Sequence, residues 1–434
     1  MLSCITQTSS LRQGEVVVPG DKSISHRAVI FSSIGEGTSI VHNYLQSEDV
    51  AATIEAFREM GVNIRADQGT LIINGSGLLG LKKPGKPLYC GNSGTTCRLL
   101  AGLLSAQTFD SILTGDNSLS ARPMLRVINP LIEIGALIES SNGFLPLVIK
   151  GSQKIIGLEV DIKVSSAQVF TAVVLASFYA INQTKVIHAG NFRDHTQKLM
   201  THLGINHHEG GHYCEIYPKP NFKNKDIYIP SDFSSAAFFI LLGILAFKDG
   251  LRIKNVLINP SRTGLLSLLE RMGARIEVSP NTDKDNHEET ADIIAFKSEL
   301  TGTLLQGDLM QNAIDEIPVL AIAAAFASGE TVIKDVEELR VKESDRITSV
   351  VDNLTRCGIE CSEFSNGMTI RGGKLIDAKL NSYDDHRVAM AFIIAGIASN
   401  RSIEMSDCSI IDTSFPDFFK VLENLSCNFK LANY

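Results

Sequence analysis

None of the eight cysteines in this 434-residue chain forms a CxxC pair. Structural zinc and a disulfide framework are therefore not expected, and free buried thiols in a reducing compartment are. No apolar run reaches the roughly 20 residues of a bilayer crossing. The longest, Phe233 to Phe247, contains Ser234 and Ser235 and is flanked by Asp232 and Lys248, so it reads as core. The first 20 residues have neither a basic n-region nor an apolar h-region. A signal peptide is not expected, and the assignment is cytoplasmic with no membrane partner. Excess positive charge is also missing. A net charge of −8 argues against a general nucleic-acid binder, though it permits a local anion-binding cleft. There is no GxxxxGK[ST], no GxGxxG after a strand and no nucleophile elbow. The run HHEGGHYCE (His207, His208, His212, Cys214) matches no common zinc spacing and reads as a polar hairpin. Disorder is excluded for most of the chain, because apolar side chains are plentiful and evenly spread.

What the chain does have is a repeat. Six times a polar head leads into an apolar, Ala-rich stretch of helical length. The heads are KSISHRAVIF at Lys22, SGTTCRLLAGLL at Ser93, SAQVFTAVVLA at Ser166, SSAAFFILLGILA at Ser234, DEIPVLAIAAAFA at Asp315 and DHRVAMAFIIAGIA at Asp385, spaced 68 to 81 residues apart. A second marker keeps the same beat. A helical segment ends in a glycine and runs into a strand at Gly61, Gly135, Gly204, Gly273 and Gly358, with Ser426 in the sixth copy. Glycine there reads as the left-handed residue that closes a helix. Each unit is predicted as helix, strand, helix, strand, strand. The period is too long for a solenoid, so six mixed units predict two globes of three. Pro218, Pro220 and Pro230 mark a domain crossing after the third.

The heads carry the chemistry. Ser23, Ser93, Ser234 and Asp385 read as ordinary N-caps. Capping does not call for cations, yet Lys22, Arg27, Arg98 and Arg387 lie in or beside these first turns. A cation there opposes the helix dipole and costs about 0.3–1 kcal/mol when exposed. Repeating that choice makes sense where an anion binds, since free N–H groups, dipole and guanidinium then act together. Arg122, Arg126, Arg193, Lys198, Arg340, Lys342 and Arg346 add charge nearby, and Asp315, Glu316, Glu343, Asp345 and Asp385 stand among them. Carboxylates among cations suit proton transfer or the orienting of those cations. His386 suits a catalytic base and a hydrogen-bonding support equally well. The residues alone predict an enzyme or binder for a multiply anionic small molecule, held between two domains.

The segments KSISHR, GNSGTTCR, ARPM, SSAQV, IDEIP, RVKESDR, DHRVAMA and TSFPDFF, in that order from Lys22 to Phe419, resemble the motifs of the 5-enolpyruvylshikimate-3-phosphate synthase family, in its class II branch. The resemblance implies an α/β, two-domain, inside-out α/β barrel-like fold (the enolpyruvyl transferase fold), with three βαβαββ units in each domain. It implies that residues 20–231 form the domain mainly for shikimate 3-phosphate. Residues 1–19 with 232–434 would form a discontinuous domain carrying the catalytic carboxylates and much of the phosphoenolpyruvate site, and GEVVVP would complete the last unit. The implied reaction moves the enolpyruvyl group of phosphoenolpyruvate to the 5-hydroxyl of shikimate 3-phosphate and releases phosphate. It passes through a tetrahedral intermediate, on the route to aromatic amino acids.

Carried over by motif, Lys22, Ser23 and Arg27 would bind shikimate 3-phosphate, with Lys22 shared with phosphoenolpyruvate and catalytic. Ser165, Ser166, Gln168 and Arg193 would hold the shikimate phosphate and ring. Gly94, Arg122, Arg346 and Arg387 would hold phosphoenolpyruvate. Asp315 would take the 5-hydroxyl proton, Glu343 would protonate C3, and Lys342 would contact shikimate phosphate or stabilise charge. The family implies no cofactor, no metal and a monomer, with glyphosate as an inhibitor. Gly94 stands where tolerant class II members carry Ala, so ordinary glyphosate sensitivity is expected. TSFPDFF lacks the Lys that many members carry before FP, which removes one phosphoenolpyruvate cation. Two alternatives remain. The sister UDP-N-acetylglucosamine enolpyruvyltransferase carries a reactive Cys in the loop before ARP, where this chain has Asn117. A non-catalytic anion-binding paralogue would not need both Asp315 and Glu343.

Overall fold

The computed structural model describes residues 2–7, 11, 13–67, 69–151, 154–163, 166–188, 192–282 and 287–433. The chain divides into two compact units. One comprises Gly20–Ile229 with Lys284–Glu288 and is called here the continuous unit. The split unit comprises Met1–Pro19, Pro230–Asp283 and Glu289–Tyr434. His287 and Glu288, which the sequence reading left with the second half, therefore cluster with the first.

The predicted order of elements recurs in both units. In the first repeat, helix Lys22–Ile34 is followed by strand Glu36–His42, helix Glu48–Glu59 and strands Asn63–Asp67 and Thr70–Ser76. Among the described residues each unit holds three four-stranded sheets, and these six share one pattern: a parallel pair at one edge, then two antiparallel pairs. The first sheet of the continuous unit runs Ile227–Tyr228, Glu36–His42, Thr70–Ser76, Asn63–Asp67.

GEVVVP does not complete the last repeat. Its strand Gly14–Val17 pairs parallel with Leu251–Leu257 and so serves the fourth. The last sheet is completed by Leu2–Thr6, which lies between Ile403–Met405 and Phe429–Asn433. Every sheet has one parallel edge strand, and two sheets exchange theirs along the chain: GEVV, which precedes the Lys22–Ile34 helix, edges the fourth sheet, and Ile227–Tyr228, which precedes the Phe233–Ala246 helix, edges the first. LSCIT is only weakly patterned as a strand, so its place was not evident from composition.

The first helix of each repeat is buried nearly all round, as its composition predicts. In the split unit, helices Phe233–Ala246, Ile317–Phe326 and His386–Ser399 pack on one another within one continuous apolar core. Asp308–Phe326 is long and apolar enough to cross a membrane by composition, but 72% of it is buried in that unit, which is the pattern of a core helix. In the continuous unit, helices Gly94–Ser105 and Ala167–Ser177 approach closely at Gly102, where a Cβ would lie 2.1 Å from the Ala172 carbonyl oxygen. The closing residues all adopt the left-handed conformation, from φ 72° at Gly204 to 100° at Gly135, and Ser426 follows at 59°. HHEGGHYCE forms a hairpin of strands His207–Gly210 and Tyr213–Ile216.

Candidate active site

The N-termini of the inner helices are capped one residue set earlier than the sequence reading placed them in two cases. Asp21, not Ser23, accepts from the Ile24 N–H, and Asp232, not Ser234, accepts from Ser234 and Ser235. Ser93, Ser166 and Asp385 cap their own helices. An aspartate just before the first turn accepts N–H groups that a serine inside the turn cannot reach, one at Asp21 and two at Asp232.

In the split unit, the structure brings Asp315, Glu316, Lys342, Glu343, Arg346, Asp385 and Arg387 together. Asp315 is the penultimate residue of the 3₁₀ segment Asp308–Glu316, which leads directly into helix Ile317–Phe326. Its carboxylate lies 3.7 Å from Lys342 Nζ and 3.5 Å from Arg346 Nη1. Arg346 opens helix Arg346–Arg356 and is fully buried. It donates to Glu343 at 2.6 Å and to Asp385 at 2.7 Å. Burial works to strip its charge, but the charges of Asp385, Glu343 and Asp315 outweigh it and hold the guanidinium protonated. Its Nη1 is buried and has no hydrogen-bond partner among the described residues. Arg387 donates to the Asp315 carbonyl at 3.1 Å and lies 3.5 Å from the buried Glu316 carboxylate. Glu316 is in turn held by Ser234, and Arg262 reaches both Ser234 (2.9 Å) and Asp232 (3.1 Å).

The continuous unit carries a second group. Lys22 pairs with Asp49 at 3.0 Å. Arg27, on the same helix, is buried and donates to Thr196 (2.8 Å), Thr171 (2.8 Å), the Ser23 carbonyl (3.0 Å) and the Ala167 carbonyl (3.3 Å). Arg27 thus ties the starts of three helices together as well as offering charge. Gln168 bridges Arg98 (2.7 Å) and Thr95 (2.9 Å). Arg122 donates to Asn92 (2.5 Å) and Ser118 (3.2 Å), while its buried Nε has no partner among the described residues. Gly94 is the first residue of its helix, and a Cβ there would meet Arg98 Nη1 at 2.9 Å and Arg122 Nη1 at 3.6 Å. Arg193 is half-buried beside helix His195–Leu203. Ser165 lies outside the described residues. Asp49, Asn92 and Thr196 were not singled out in the sequence. Asp49 reads there as an ordinary acidic residue in the first turn of helix Glu48–Glu59, and only the fold places it against Lys22.

Each group can grip an anion, and the split-unit group adds two carboxylates set against cations, the arrangement that proton transfer beside a bound anion requires. The fold is that of an enolpyruvyl transferase: the NikO enolpyruvyl transferase of Streptomyces tendae matches the whole chain with a TM-score of 0.82 at 16% identity, covering 99% of that protein. A family model, EPSP synthase (3-phosphoshikimate 1-carboxyvinyltransferase), matches residues 6–422, and the chain belongs to that family. It is 42% identical over 419 residues to a 3-phosphoshikimate 1-carboxyvinyltransferase of Coxiella burnetii (96% of this chain, 95% of the relative). It is 41% identical to one of Vesicomyosocius okutanii over the full length of both. The EPSP synthase structure from Acinetobacter baumannii matches with a TM-score of 0.90 at 38% identity, each chain covered completely.

Proposed function

We propose that the chain acts as a 3-phosphoshikimate 1-carboxyvinyltransferase, moving the enolpyruvyl group of phosphoenolpyruvate onto the 5-hydroxyl of shikimate 3-phosphate with release of phosphate. Membership of the family supports the reaction. The observation that carries the assignment of roles is the split-unit cluster, where Asp315, Glu343, Lys342 and Arg346 share one hydrogen-bonded and ionic set.

In the addition step the 5-hydroxyl oxygen bonds to C2 of the enolpyruvyl group, Asp315 accepts the hydroxyl proton, and Glu343 delivers a proton to C3. In the elimination step the C2–O bond to phosphate breaks and C3 gives back a proton. Arg346 and Arg387 hold phosphoenolpyruvate with forked donors, and Arg346 Nη1, which makes no hydrogen bond among the described residues, is a donor available to it. In the continuous unit, Arg122 and Gly94 are assigned to phosphoenolpyruvate by motif, and Lys22 to both substrates. Ser23, Arg27, Ser165, Ser166, Gln168 and Arg193 hold shikimate 3-phosphate. Glyphosate is the inhibitor this arrangement would accept. A side chain at Gly94 would meet the ends of Arg98 and Arg122, and those ends are the phosphoenolpyruvate donors and their neighbours.

The test is phosphate release on mixing the protein with phosphoenolpyruvate and shikimate 3-phosphate, with UDP-N-acetylglucosamine as the control acceptor. Release that depends on shikimate 3-phosphate is expected. Release with the control acceptor alone, or with neither while both ligands still bind, would overturn the reading.

A further inference from the structure

Outside the residues named so far, the continuous unit contains a buried carboxylate with no role in the chemistry. Glu288 is fully buried as a side chain and accepts from His195 Nδ1 at 2.6 Å. Its second oxygen lies 3.2 Å from Lys198 Nζ, and Lys198 also reaches Asp194 at 3.7 Å. Both partners belong to the first turn of helix His195–Leu203, where Asp194 at the N-cap makes no side-chain capping bond. A buried carboxylate is costly unless charges and hydrogen bonds compensate it. Here they do. Burial, the largest single influence, works to raise its pKa, but the charge and hydrogen bond of His195 and the charge of Lys198 hold it down at about 2. Asp194, His195 and Glu288 also lie close enough to share a metal ion. The Lys198 ammonium already stands against two of those carboxylates, so the cluster has its cation.

The residue that follows His195 leads to the substrate groups. Thr196 Oγ1 accepts from Arg27 Nε at 2.8 Å and shares a hydrogen bond with Thr171 at 2.7 Å. Thr171 accepts from Arg27 Nη2 and donates to the Ala167 carbonyl at the start of its own helix. Arg193 lies two residues before His195. The same helical turn therefore carries partners of both Glu288 and Arg27.

We propose that Glu288 is a positioning residue for shikimate 3-phosphate: by anchoring His195 and Lys198 it fixes the first turn of helix His195–Leu203, and through Thr196 it sets the guanidinium of Arg27 and the placement of Arg193. The proposal rests on the assignment of Arg27 and Arg193 to shikimate 3-phosphate made above.

The test is calorimetric titration of the full chain with shikimate 3-phosphate, beside steady-state kinetics. Glu288→Gln is expected to weaken shikimate 3-phosphate binding about ten-fold and raise its KM in step, while kcat and the KM for phosphoenolpyruvate stay within about two-fold. Thr196→Val is expected to give the same pattern, and the double variant to weaken binding less than the product of the two single effects. Lys198→Met, at a part-exposed position, is the second route should Glu288→Gln not fold, with an expected weakening of about three-fold. Wild-type protein that fails to bind shikimate 3-phosphate would overturn this proposal together with the assigned function. Wild-type binding with unchanged affinity in the Glu288 or Lys198 variant, or strictly multiplicative effects in the double variant, would overturn the positioning role alone.

Discussion

Asp315 illustrates how much a single side chain depends on its neighbours. Asp315, the base proposed for the 5-hydroxyl proton, is a carboxylate set beside cations. The Asp315 contacts to Lys342 and Arg346, at 3.7 and 3.5 Å, are long for ion pairs, whereas Arg346 spends its short bonds on Glu343 and Asp385. Asp315→Ala should therefore cut turnover by about 10²- to 10⁴-fold, the usual contribution of a general base. Titration should still detect both ligands; loss of binding instead would remove Asp315 from the role of base. His26 makes a different prediction. It is completely buried between its Thr53 partner and an Nε2 with no partner among the described residues. Burial first, then the charges of Lys22 and Arg27, lower its pKa to about 3. The folded state thus resists protonation that the unfolded chain accepts near pH 6.5. Stability from His26 is present above pH 6.5 and is lost progressively as the pH falls towards 3. At pH 4.5 the loss is on the order of 2–3 kcal/mol at about 1.4 kcal/mol per pH unit. His287, lowered to about 4 mainly by burial, acts in the same window, whereas Glu288 contributes only below about pH 4.5. Urea unfolding at pH 7 and 4.5 should show the decline, and His26→Gln should flatten it; an equal slope in the variant would assign the effect elsewhere.

The helix-to-strand joint is the element that the sequence made most legible. Five glycines and one serine share a left-handed backbone at equivalent places, because each helix must stop and reverse into a strand within one residue. Ser426 pays the steric cost of its Cβ at φ 59°. Ser426→Gly should stabilise the split unit by about 0.5–1 kcal/mol, the strain relieved less the added freedom of glycine in the unfolded chain. A urea midpoint that does not rise would mean that the serine is better accommodated than its dihedral implies. The inner helices were equally readable, since a helix apolar on every side has only the core to occupy. The edge strands were not. Ile227–Tyr228, Leu88–Tyr89 and Leu304–Leu305 are two residues long, and no periodicity can be seen in two residues. The caps were half legible, because aspartate and serine both favour that position and only backbone geometry decides which one takes it. Site residues fixed by a motif could be named in advance. Their supports could not, since Asp49 meets Lys22, and Glu288 meets His195, only once distant segments have folded together.

At the scale of the whole molecule, the two units differ in which parts of the chain they draw on. The continuous unit draws nearly all of its residues from 20–229. The split unit cannot be completed in the same way. Its last sheet takes Leu2–Thr6 as an interior strand, bonded on one side to Ile403–Met405 and on the other to Phe429–Asn433. Cys4 is fully buried there, and Thr6 Oγ1 both donates to the Arg401 carbonyl at 2.6 Å and accepts from the Ile403 N–H at 3.0 Å. Removing an interior strand does more than trim an end. It exposes two ladders of backbone donors and acceptors, and it leaves a buried N–H unpaired at a cost of about 1–3 kcal/mol for that group alone. A chain lacking residues 2–6 should therefore lose hydrogen-exchange protection at 403–405 and 429–433 first, then across the helices His386–Ser399 and Phe233–Ala246 that share the split unit's core. Helices Gly94–Ser105 and Ala167–Ser177, in the continuous unit, should keep theirs. Equal loss in both sets would mean that the two units unfold as one cooperative body, and undiminished protection at 403–405 would mean that the first strand is dispensable to its sheet.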